Sequence, residues 1–429
     1  MYIATLISLA ASLRPSAAAT AQFFAPPSSG PLVQSLNYTG VSNSTLDDRH
    51  VVEGQVFNRI IQVWLENTNF ETAAATPVFE SLAQQGIVLS NFNALTHPSE
   101  PNYVAAIGGD FFGMHDDNMY RIPSNISCVV DLLEDKGISW ATYQENMPAD
   151  GYYGYTYTSP NYASPSSKPY TYYVRKHNPL IIYDGISEDP NRIRNFNDFA
   201  ADAVNGTLPQ WVFVTPNMVN DAHDTTIDFA ASFLEYWLVP LLTDPRVNGE
   251  DTLILLTFDE NETYEIQNRV FSLLLGNAVP DCLRGTIDDT LYTHYSSLST
   301  VQANWGLRSL GRQDTNPLLS NVFSFVADAT GYENVYVPAS EIPMFNLTGV
   351  VPGALTSAAF VPFAAPDLEA HGAGSCGVLT RPGLDPTLTP CTLPPPVNML
   401  ALDATTPWQM SPKTTDGRNT IPCANAKCR

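Results

Sequence analysis

Basic residues are scarce in this sequence of 429 residues. Lys and Arg together number 20 against 43 Asp and Glu, which gives a formal net charge of −23. Proteins that bind nucleic acid need a basic surface for the phosphates, and anionic membranes attract polybasic segments, so we expect neither partner. The acidic excess favours solubility. It also fits a protein that acts in an acidic medium at about pH 4 to 5, where many carboxylates lose their charge.

Long apolar runs and closely paired cysteines are also missing. Beyond the N-terminus, no stretch approaches the roughly 18 consecutive apolar residues of a membrane-spanning helix, so we expect no stable membrane anchor. None of the six cysteines belongs to a Cys-x-x-Cys pair, which argues against a zinc finger. Their number favours disulfides in an oxidising compartment. We expect a disulfide-containing C-terminal tail with loops Cys376–Cys391 and Cys423–Cys428, although the sequence leaves the pairing open.

The N-terminus has the features of a secretory signal. Its apolar stretch runs from Tyr2 to Leu13 and is followed by small residues at positions 17–21. We therefore predict a signal peptide over residues 1–21 and a protein that is secreted or held in the cell wall. Six Asn-x-Ser/Thr sequons agree with that route and predict N-glycans. They lie at Asn37, Asn43, Asn125, Asn205, Asn261 and Asn346.

Strand and helix patterns alternate through the body of the sequence. Compact apolar runs predict strands at 57–67, 87–95, 138–146, 211–217, 251–261 and 269–279. Helical spacing predicts helices at 71–86, 127–137, 195–206, 226–244 and 295–307. This alternation favours an α/β fold with a mostly parallel central sheet and helices on both faces.

Composition divides the rest of the chain. Residues 22–55 are polar and are predicted to form an extended lead-in, whereas 56–365 carry the strand and helix pattern and are predicted to form one catalytic domain. Residues 366–429 are rich in Pro, Thr and Cys, which predicts an irregular C-terminal extension. Within the domain, a tyrosine-rich loop at 150–175 has the composition of segments that carry or cover a site.

Polar side chains follow four of the predicted strands. In open parallel sheets, ligands bind beyond the carboxyl ends of the strands. The sequence places these residues there: Glu66, Asn67, His97, Ser99, Asp221, His223, Asp259 and Glu260. Plainer interpretations exist, namely helix caps, a solvated turn and a surface histidine. We favour a functional interpretation because the whole set converges on one crevice.

The chemistry of this set predicts a metal ion and a nucleophile. Several carboxylates without nearby Lys or Arg repel one another, so protons or a cation must neutralise them. One divalent ion such as Mg²⁺, Ca²⁺ or Mn²⁺ suits the oxygens of Glu66, Asn67, Asp259 and Glu260. A cation beside Ser99 would activate its hydroxyl, and Asn102 would donate a hydrogen bond to a phosphoryl oxygen.

Several motifs resemble those of a known family. The segment THPSEPNYVAAIGGDFFGMHDDN resembles the nucleophile segment of the alkaline phosphatase-like superfamily, through Ser99-Glu100-Pro101-Asn102 followed by Gly108 and His115. With LENTNF, KHNP, NDAHDTT and TFDENE, it resembles the phosphoesterase family of secreted fungal acid phosphatases and related phospholipases C. The resemblance covers roughly residues 55–345. Tyr103 stands where the phospholipases C carry Arg, which weakens a phospholipase assignment.

The resemblance implies a role for each matching residue. Ser99 would be the phosphorylated nucleophile and would complete the shell of the metal ion. His223 would bind phosphate or protonate the leaving group, and His177 with Lys176 would contact the phosphate. The same substrate-binding set includes His294, Asp221 and His97.

These expectations combine into one hypothesis with two rivals. The hypothesis is an acid phosphatase that acts on small-molecule phosphate monoesters through a phosphoserine at a carboxylate-bound metal site. One rival is a phospholipase C or other phosphodiesterase on the same scaffold, which turnover of a monoester and a diester would distinguish. The other is a non-catalytic secreted glycoprotein, which would have no reason to collect these residues at strand ends.

Overall fold

The computed structural model describes residue 42 and residues 46–161, 168–187 and 189–385. The predicted signal peptide, most of the lead-in and most of the C-terminal extension lie outside these residues. So do two sequons, Asn37 and Asn43, and three cysteines, Cys391, Cys423 and Cys428. None of the described helices has the length and apolar character required to span a bilayer.

Short strands and helices alternate along the described chain. The strands are β1 Arg59–Leu65, β2 Ile87–Leu89, β3 Phe92–Asn93, β4 Trp140–Gln144, β5 Thr156–Ser159, β6 Tyr170–Val174, β7 Ile193–Asn195, β8 Trp211–Thr215, β9 Thr252–Phe258, β10 Ser272–Leu275, β11 Thr286–Asp288 and β12 Tyr292–Thr293. The helices are α1 Phe70–Ala74, α2 Pro77–Ala83, α3 Ser99–Gly108, α4 Val129–Lys136, α5 Pro179–Ile182, α6 Asp184–Ser187, α7 Phe196–Asn205, α8 Ile227–Phe233, α9 Val239–Leu241, α10 His294–Trp305 and α11 Ser324–Thr330.

Eight of the described strands form one sheet in the order β11-β2-β10-β9-β1-β8-β4-β7. Neighbouring strands are parallel except around β10, which is antiparallel to both β9 and β2. The predicted α/β fold with a mostly parallel central sheet is therefore confirmed. The central strand β9 is buried at every position, as expected for a strand covered on both faces.

Several predicted elements differ in detail. The run 71–86 forms two helices, because Pro77 lacks an N–H and begins α2 instead of continuing α1. The run 87–95 forms β2 in the large sheet and β3, which pairs with β12. The tyrosine-rich segment includes the antiparallel hairpin of β5 and β6. A turn of π-helix at Leu234–Leu238 separates α8 from α9.

Helix α3 was not predicted, and it lies at the centre of the molecule. All ten of its residues are buried, and it packs against α10. Its small residues Ala105, Ala106 and Gly108 allow neighbouring elements to approach closely. The helix ends at Gly109, whose φ of 67° is the left-handed conformation that glycine adopts without strain.

The last described residues are attached to this helix through one arginine. Arg312 Nη2 lies 2.6 Å from Asp385 Oδ1, and Arg312 Nη1 donates to the carbonyl oxygen of Gly108 at 2.8 Å. Ser127 Oγ donates to Asp385 Oδ2 at 2.5 Å. Residues 366–385 are otherwise irregular, without a helix or strand.

Two predicted glycan acceptors are buried. Asn261 has no exposed surface, and its Nδ2 donates to the carbonyl oxygen of Gln267 at 3.1 Å. Asn346 is also buried and donates from Nδ2 to the carbonyl oxygen of Tyr264 at 3.1 Å. Neither asparagine is exposed in this fold, and glycosylation at these two positions stays a prediction. The exposed sequons are Asn125 and Asn205.

Candidate active site

The residues that follow β1 and β9 meet at one edge of the sheet. These are adjacent parallel strands, and Leu65 pairs with Phe258 at the end of their register. Glu66 and Asp259 come next, and both are fully buried. The backbone N–H of Asn67 lies 3.3 Å from Asp259 Oδ1 and joins the two strand ends. The two neighbouring strands therefore bring their carboxylates to one place.

Ser99 begins α3 and directs its hydroxyl toward Glu66. Ser99 Oγ donates a hydrogen bond to Glu66 Oε2 at 3.0 Å. One helical turn later, the hydroxyl of Tyr103 donates to Glu66 Oε1. Because α3 is buried along its length, both hydroxyl groups are held in place. In the sequence, Tyr103 stands out only as a departure from a motif, and this contact was not predicted, although its position four residues after Ser99 puts both on one helix face.

The carboxylates at this edge carry an excess of buried negative charge. Burial raises the pKa of Asp259 to about 6, while the Lys176 ammonium and the Ser99 hydroxyl oppose that shift. Burial and the charge of Asp259 also raise the pKa of Glu66 and of Glu260 well above the usual range. At neutral pH the cluster therefore needs further positive charge or protons.

Several oxygens in this cluster have no hydrogen bond within the described residues. They are Asn67 Oδ1, Asp259 Oδ2 and Glu260 Oε1. Asn67 also has a positive φ of 35°, an unusual conformation that is common at functional sites. Such oxygens are the ligands that hard divalent cations prefer, so the donor chemistry fits the predicted metal. However, no group of three or more His, Cys, Asp or Glu side chains in the described chain is arranged to hold an ion, and the metal stays a prediction.

A chain of polar contacts crosses the more exposed side of the site. Lys176 Nζ lies 2.9 Å from Asp117 Oδ2 and 3.1 Å from His223 Nε2, and His223 Nδ1 lies 2.7 Å from Asp224 Oδ1. Burial disfavours the charge of Lys176, but the carboxylates of Glu66 and Asp117 outweigh burial and raise its pKa. The ammonium therefore donates to His223 Nε2, which leaves Nδ1–H to donate to Asp224. The His223 side chain is 25% exposed and accessible to a substrate.

Asp117 and Asp224 were not among the predicted site residues. Asp117 follows no strand, so the strand-end pattern could not find it. Its Oδ1 also accepts a hydrogen bond from the backbone N–H of Glu100 at 3.0 Å. This one carboxylate therefore contacts both Lys176 and the first turn of the helix that carries Ser99.

His177 and Asp221 reach the same cluster but from its buried side. His177 Nε2 lies 3.2 Å from Glu66 Oε1, and its Nδ1 lies 3.5 Å from Asp221 Oδ2. Burial, followed by the charges of Lys176 and His223, lowers the pKa of His177. Asp221 Oδ1 accepts from the backbone N–H of His223 at 2.8 Å. Both predicted substrate contacts are thus buried side chains that contact other protein groups.

His97 and His294 lie behind the carboxylates. His97 Nδ1 is 2.8 Å from Glu260 Oε2, and its ring is stacked under that of Tyr264. His294 Nε2 is 2.6 Å from the backbone oxygen of Asp259. Burial lowers the pKa of each histidine to about 4. Both side chains are buried, so these positions favour support of the carboxylates over the predicted direct contact with substrate.

Asn102 fixes the turn that precedes α3. Its Oδ1 accepts from the backbone N–H groups of Leu95 and Thr96 at 3.0 and 3.2 Å. Its Nδ2 donates to the carbonyl oxygens of Thr96 and Pro98 at 2.7 and 3.4 Å. Because both amide hydrogens are used, these contacts do not support the predicted hydrogen bond to phosphate. Asn102 instead positions the segment that presents Ser99.

Known proteins are similar to this chain over most of its length. The sequence model of the Phosphoesterase family matches residues 64–308. An acid phosphatase from Aspergillus fumigatus is 49% identical over 326 residues, which cover 75% of this chain and 68% of that protein. A probable acid phosphatase from Kluyveromyces lactis is 52% identical over 290 residues, covering 67% of this chain and 66% of that protein. A solved structure of a protein in the alkaline phosphatase superfamily from Vibrio parahaemolyticus shares 9% identity at a TM-score of 0.38, covering 62% of this chain and 71% of that one; a likeness of this size supports no conclusion.

Proposed function

The chain belongs to the phosphoesterase family, and on that footing we propose that it is a secreted acid phosphatase that hydrolyses phosphate monoesters through a phosphoserine. The observation that carries the proposal is the Ser99 hydroxyl, held 3.0 Å from Glu66 Oε2 at the start of a buried helix. Around it lie buried carboxylates on one side and the Lys176–His223 pair on the other. The similarity to acid phosphatases supports the same activity.

Side chains of this protein can carry every proton transfer of the reaction. Ser99 Oγ attacks phosphorus in line and forms the Oγ–P bond, while its proton passes to Glu66 and the P–O bond to the alcohol breaks. The departing oxygen takes a proton from the Lys176–His223 pair. Water then attacks the phosphoserine and returns a proton to that pair, and Ser99 recovers its own from Glu66. The products are the free alcohol and inorganic phosphate.

A divalent cation fits the acidic side of this site. Glu66, Asn67, Asp259 and Glu260, with Ser99, would hold the ion, which would neutralise charge on the phosphoryl group and favour the Ser99 alkoxide. We expect purified protein to contain about one divalent ion per chain by elemental analysis. A metal-free, fully active enzyme would instead make the cluster a group of carboxylates that share protons.

Replacement of Ser99 by Ala tests the proposed function. Because the attacking oxygen is lost, we expect turnover of phenyl phosphate to fall at least about a thousandfold. The exposed Ser81→Ala variant should retain wild-type activity and serves as the control. After acid quench, wild-type protein should carry phosphate on a peptide that contains Ser99.

Full activity of Ser99→Ala would overturn the mechanism. Faster turnover of diphenyl phosphate than of phenyl phosphate would overturn the monoester assignment in favour of a phosphodiesterase. A rate optimum above about pH 7 would contradict the acid assignment, since acidic conditions relax the repulsion between carboxylates.

A further inference from the structure

An aromatic ring lies half-exposed next to the carboxylate cluster. Tyr264 is 42% exposed, and its ring stacks on His97 with centroids 3.9 Å apart and planes 19° apart. His97 is itself buried and lies 2.8 Å from Glu260 Oε2. One face of the tyrosine is therefore fixed against the site, and a single imidazole separates it from the carboxylates.

The backbone around Tyr264 is held on both sides. The carbonyl oxygen of Tyr264 accepts from Asn346 Nδ2 at 3.1 Å. The preceding residue, Thr263, exchanges two hydrogen bonds with Asn69, at 2.8 Å from Asn69 Nδ2 to Thr263 Oγ1 and at 3.1 Å from Thr263 N to Asn69 Oδ1. These contacts fix the ring before any ligand arrives, which lowers the entropy cost of stacking on it.

Two apolar side chains are exposed in the segments next to the ring. Gln267 Nε2 donates to the carbonyl oxygen of Pro343 at 2.9 Å, so the segments 264–267 and 343–346 run side by side. Each segment exposes an apolar side chain, and Ile266 and Met344 are both 44% exposed. Exposed apolar side chains at this place favour the binding of an apolar group.

A second half-exposed tyrosine lies near the polar side of the site. The hydroxyl of Tyr155 donates to the backbone oxygen of Asp117, whose carboxylate holds Lys176. The carboxylates and imidazoles beneath are buried, so the organic part of a bound ester must extend toward the exposed groups. Those groups include the rings of Tyr264 and Tyr155 together with the polar contacts around Lys176 and His223.

We propose that the Tyr264 ring is the leaving-group subsite and that the favoured substrates are phosphate monoesters whose alcohol carries an aromatic ring. This inference rests on the proposed phosphatase function. An aromatic leaving group would stack on the open face of Tyr264, with His97 on the other face, while its phosphate reaches Ser99. Offset stacking of this kind is more favourable than contact with a saturated ring of equal size.

The test compares benzyl phosphate with cyclohexylmethyl phosphate. The two esters have similar size, and each releases an aliphatic alcohol, so leaving-group acidity does not favour one of them. We expect the wild-type enzyme to show a kcat/KM about fivefold higher for benzyl phosphate. The preference should persist in Tyr264→Phe, which keeps the ring. It should disappear in Tyr264→Leu, which keeps an apolar side chain without the ring.

The outcomes separate this inference from the proposed function. Equal kcat/KM for the two esters in wild-type protein, or a preference that survives in Tyr264→Leu, would overturn the subsite. If Ser99→Ala loses activity toward both esters while the Tyr264 variants behave alike, only the subsite fails. If Ser99→Ala still hydrolyses both, the proposed function fails instead. Equal kcat/KM in the wild-type protein would overturn the subsite even if one variant folds poorly.

Discussion

Two buried groups of carboxylates lie in this molecule, and they are neutralised differently. One is the cluster of Glu66, Asp259 and Glu260 next to Ser99. In the other, a single guanidinium lies within 3.0–3.4 Å of three carboxylates. That structural group consists of Arg194 with Asp150, Asp198 and Asp202.

The difference indicates which group serves folding and which serves chemistry. Arg194 approaches its carboxylates with three separate nitrogens, and the hydroxyl of Tyr143 donates to Asp202 at 2.8 Å. Beside Ser99, by contrast, no Arg or Lys of the described residues lies within ion-pair distance of Glu66, Asp259 or Glu260, and the close basic partners are the imidazoles of His177 and His97. Charge left uncompensated in a fold marks a place where a ligand, ion or proton acts.

Neutralising Glu66, in the carboxylate cluster beside Ser99, should have the largest effect on the proposed activity. We expect Glu66→Gln to lower kcat/KM for phenyl phosphate at least about a thousandfold, because the contact to Ser99 loses its proton acceptor. The free energy of unfolding at pH 7, measured in urea, should stay the same or rise, since a repelling charge is removed. The exposed Glu80→Gln variant is the control. A large loss of stability would assign Glu66 to structure.

Removing Arg194 should lower the stability of the fold, whereas neutralising Glu66 should not. We expect Arg194→Met to lower the free energy of unfolding by about 3–5 kcal/mol, because the buried acidic side chains around it lose their counter-charge. Urea denaturation measures the loss. Arg246, which pairs with Asp244 at the surface, provides the control, and its Met variant should cost at most about 1 kcal/mol. If both arginine variants were equally stable, the proposed division between the two groups would be wrong.

Replacing Asp117 tests its contact with Lys176, and the expected effect is smaller. In Asp117→Asn, the amide oxygen still accepts from the Glu100 N–H, but an NH₂ group faces Lys176. We expect KM for phenyl phosphate and the inhibition constant of inorganic phosphate to rise about fivefold, with a smaller change in kcat. Asp116→Asn, one residue earlier, is the matched control. An unchanged KM would show that Asp117 does not position Lys176.

The Arg194 group should also make the stability of the fold depend on pH through Asp150. Burial, followed by the neighbouring Asp198, raises the pKa of Asp150 to about 8, against a usual value of about 4. The folded protein therefore binds the Asp150 proton more tightly than the unfolded chain does, and this binding adds to the free energy of unfolding. The added stability is complete below about pH 4 and is lost as the pH rises through about 8.

The expected slope is modest because the Arg194 guanidinium favours the charged form of Asp150 and opposes the shift. We expect the free energy of unfolding to fall by about 0.5 kcal/mol per pH unit between pH 5 and 8, measured by urea denaturation. Asp150→Asn should flatten this slope, whereas the exposed Asp328→Asn should leave it unchanged. A slope that Asp150→Asn leaves intact would assign the pH dependence to other groups.

Sequence patterns could predict the residues whose position follows from strand ends. Glu66 and Asp259 come directly after long apolar runs, and parallel strands bring such residues to the same edge. The same pattern could not predict which way a side chain would face. Asn102 lies near Ser99 as expected, yet its amide is used by the turn, and His294 contacts a backbone oxygen.

Other features of the site depend on contacts between distant segments. Tyr264 gains its position from stacking on His97, and Asp117 from pairing with Lys176. Neither contact leaves a periodic trace in the sequence. Helix α3 was also missed, because Pro98 and Pro101 disguise its first turn and its buried small residues lack an amphipathic pattern.

The ion pair between Arg312 and Asp385 limits how far the C-terminus can be truncated. Arg312 holds both Asp385 and the carbonyl at the end of the helix that begins with Ser99. A protease cut or affinity tag placed downstream of Asp385 spares this connection. Truncation that removes Asp385 would leave a buried guanidinium without its acidic partner, and the effect would reach Ser99 through the helix that Arg312 contacts at its other end.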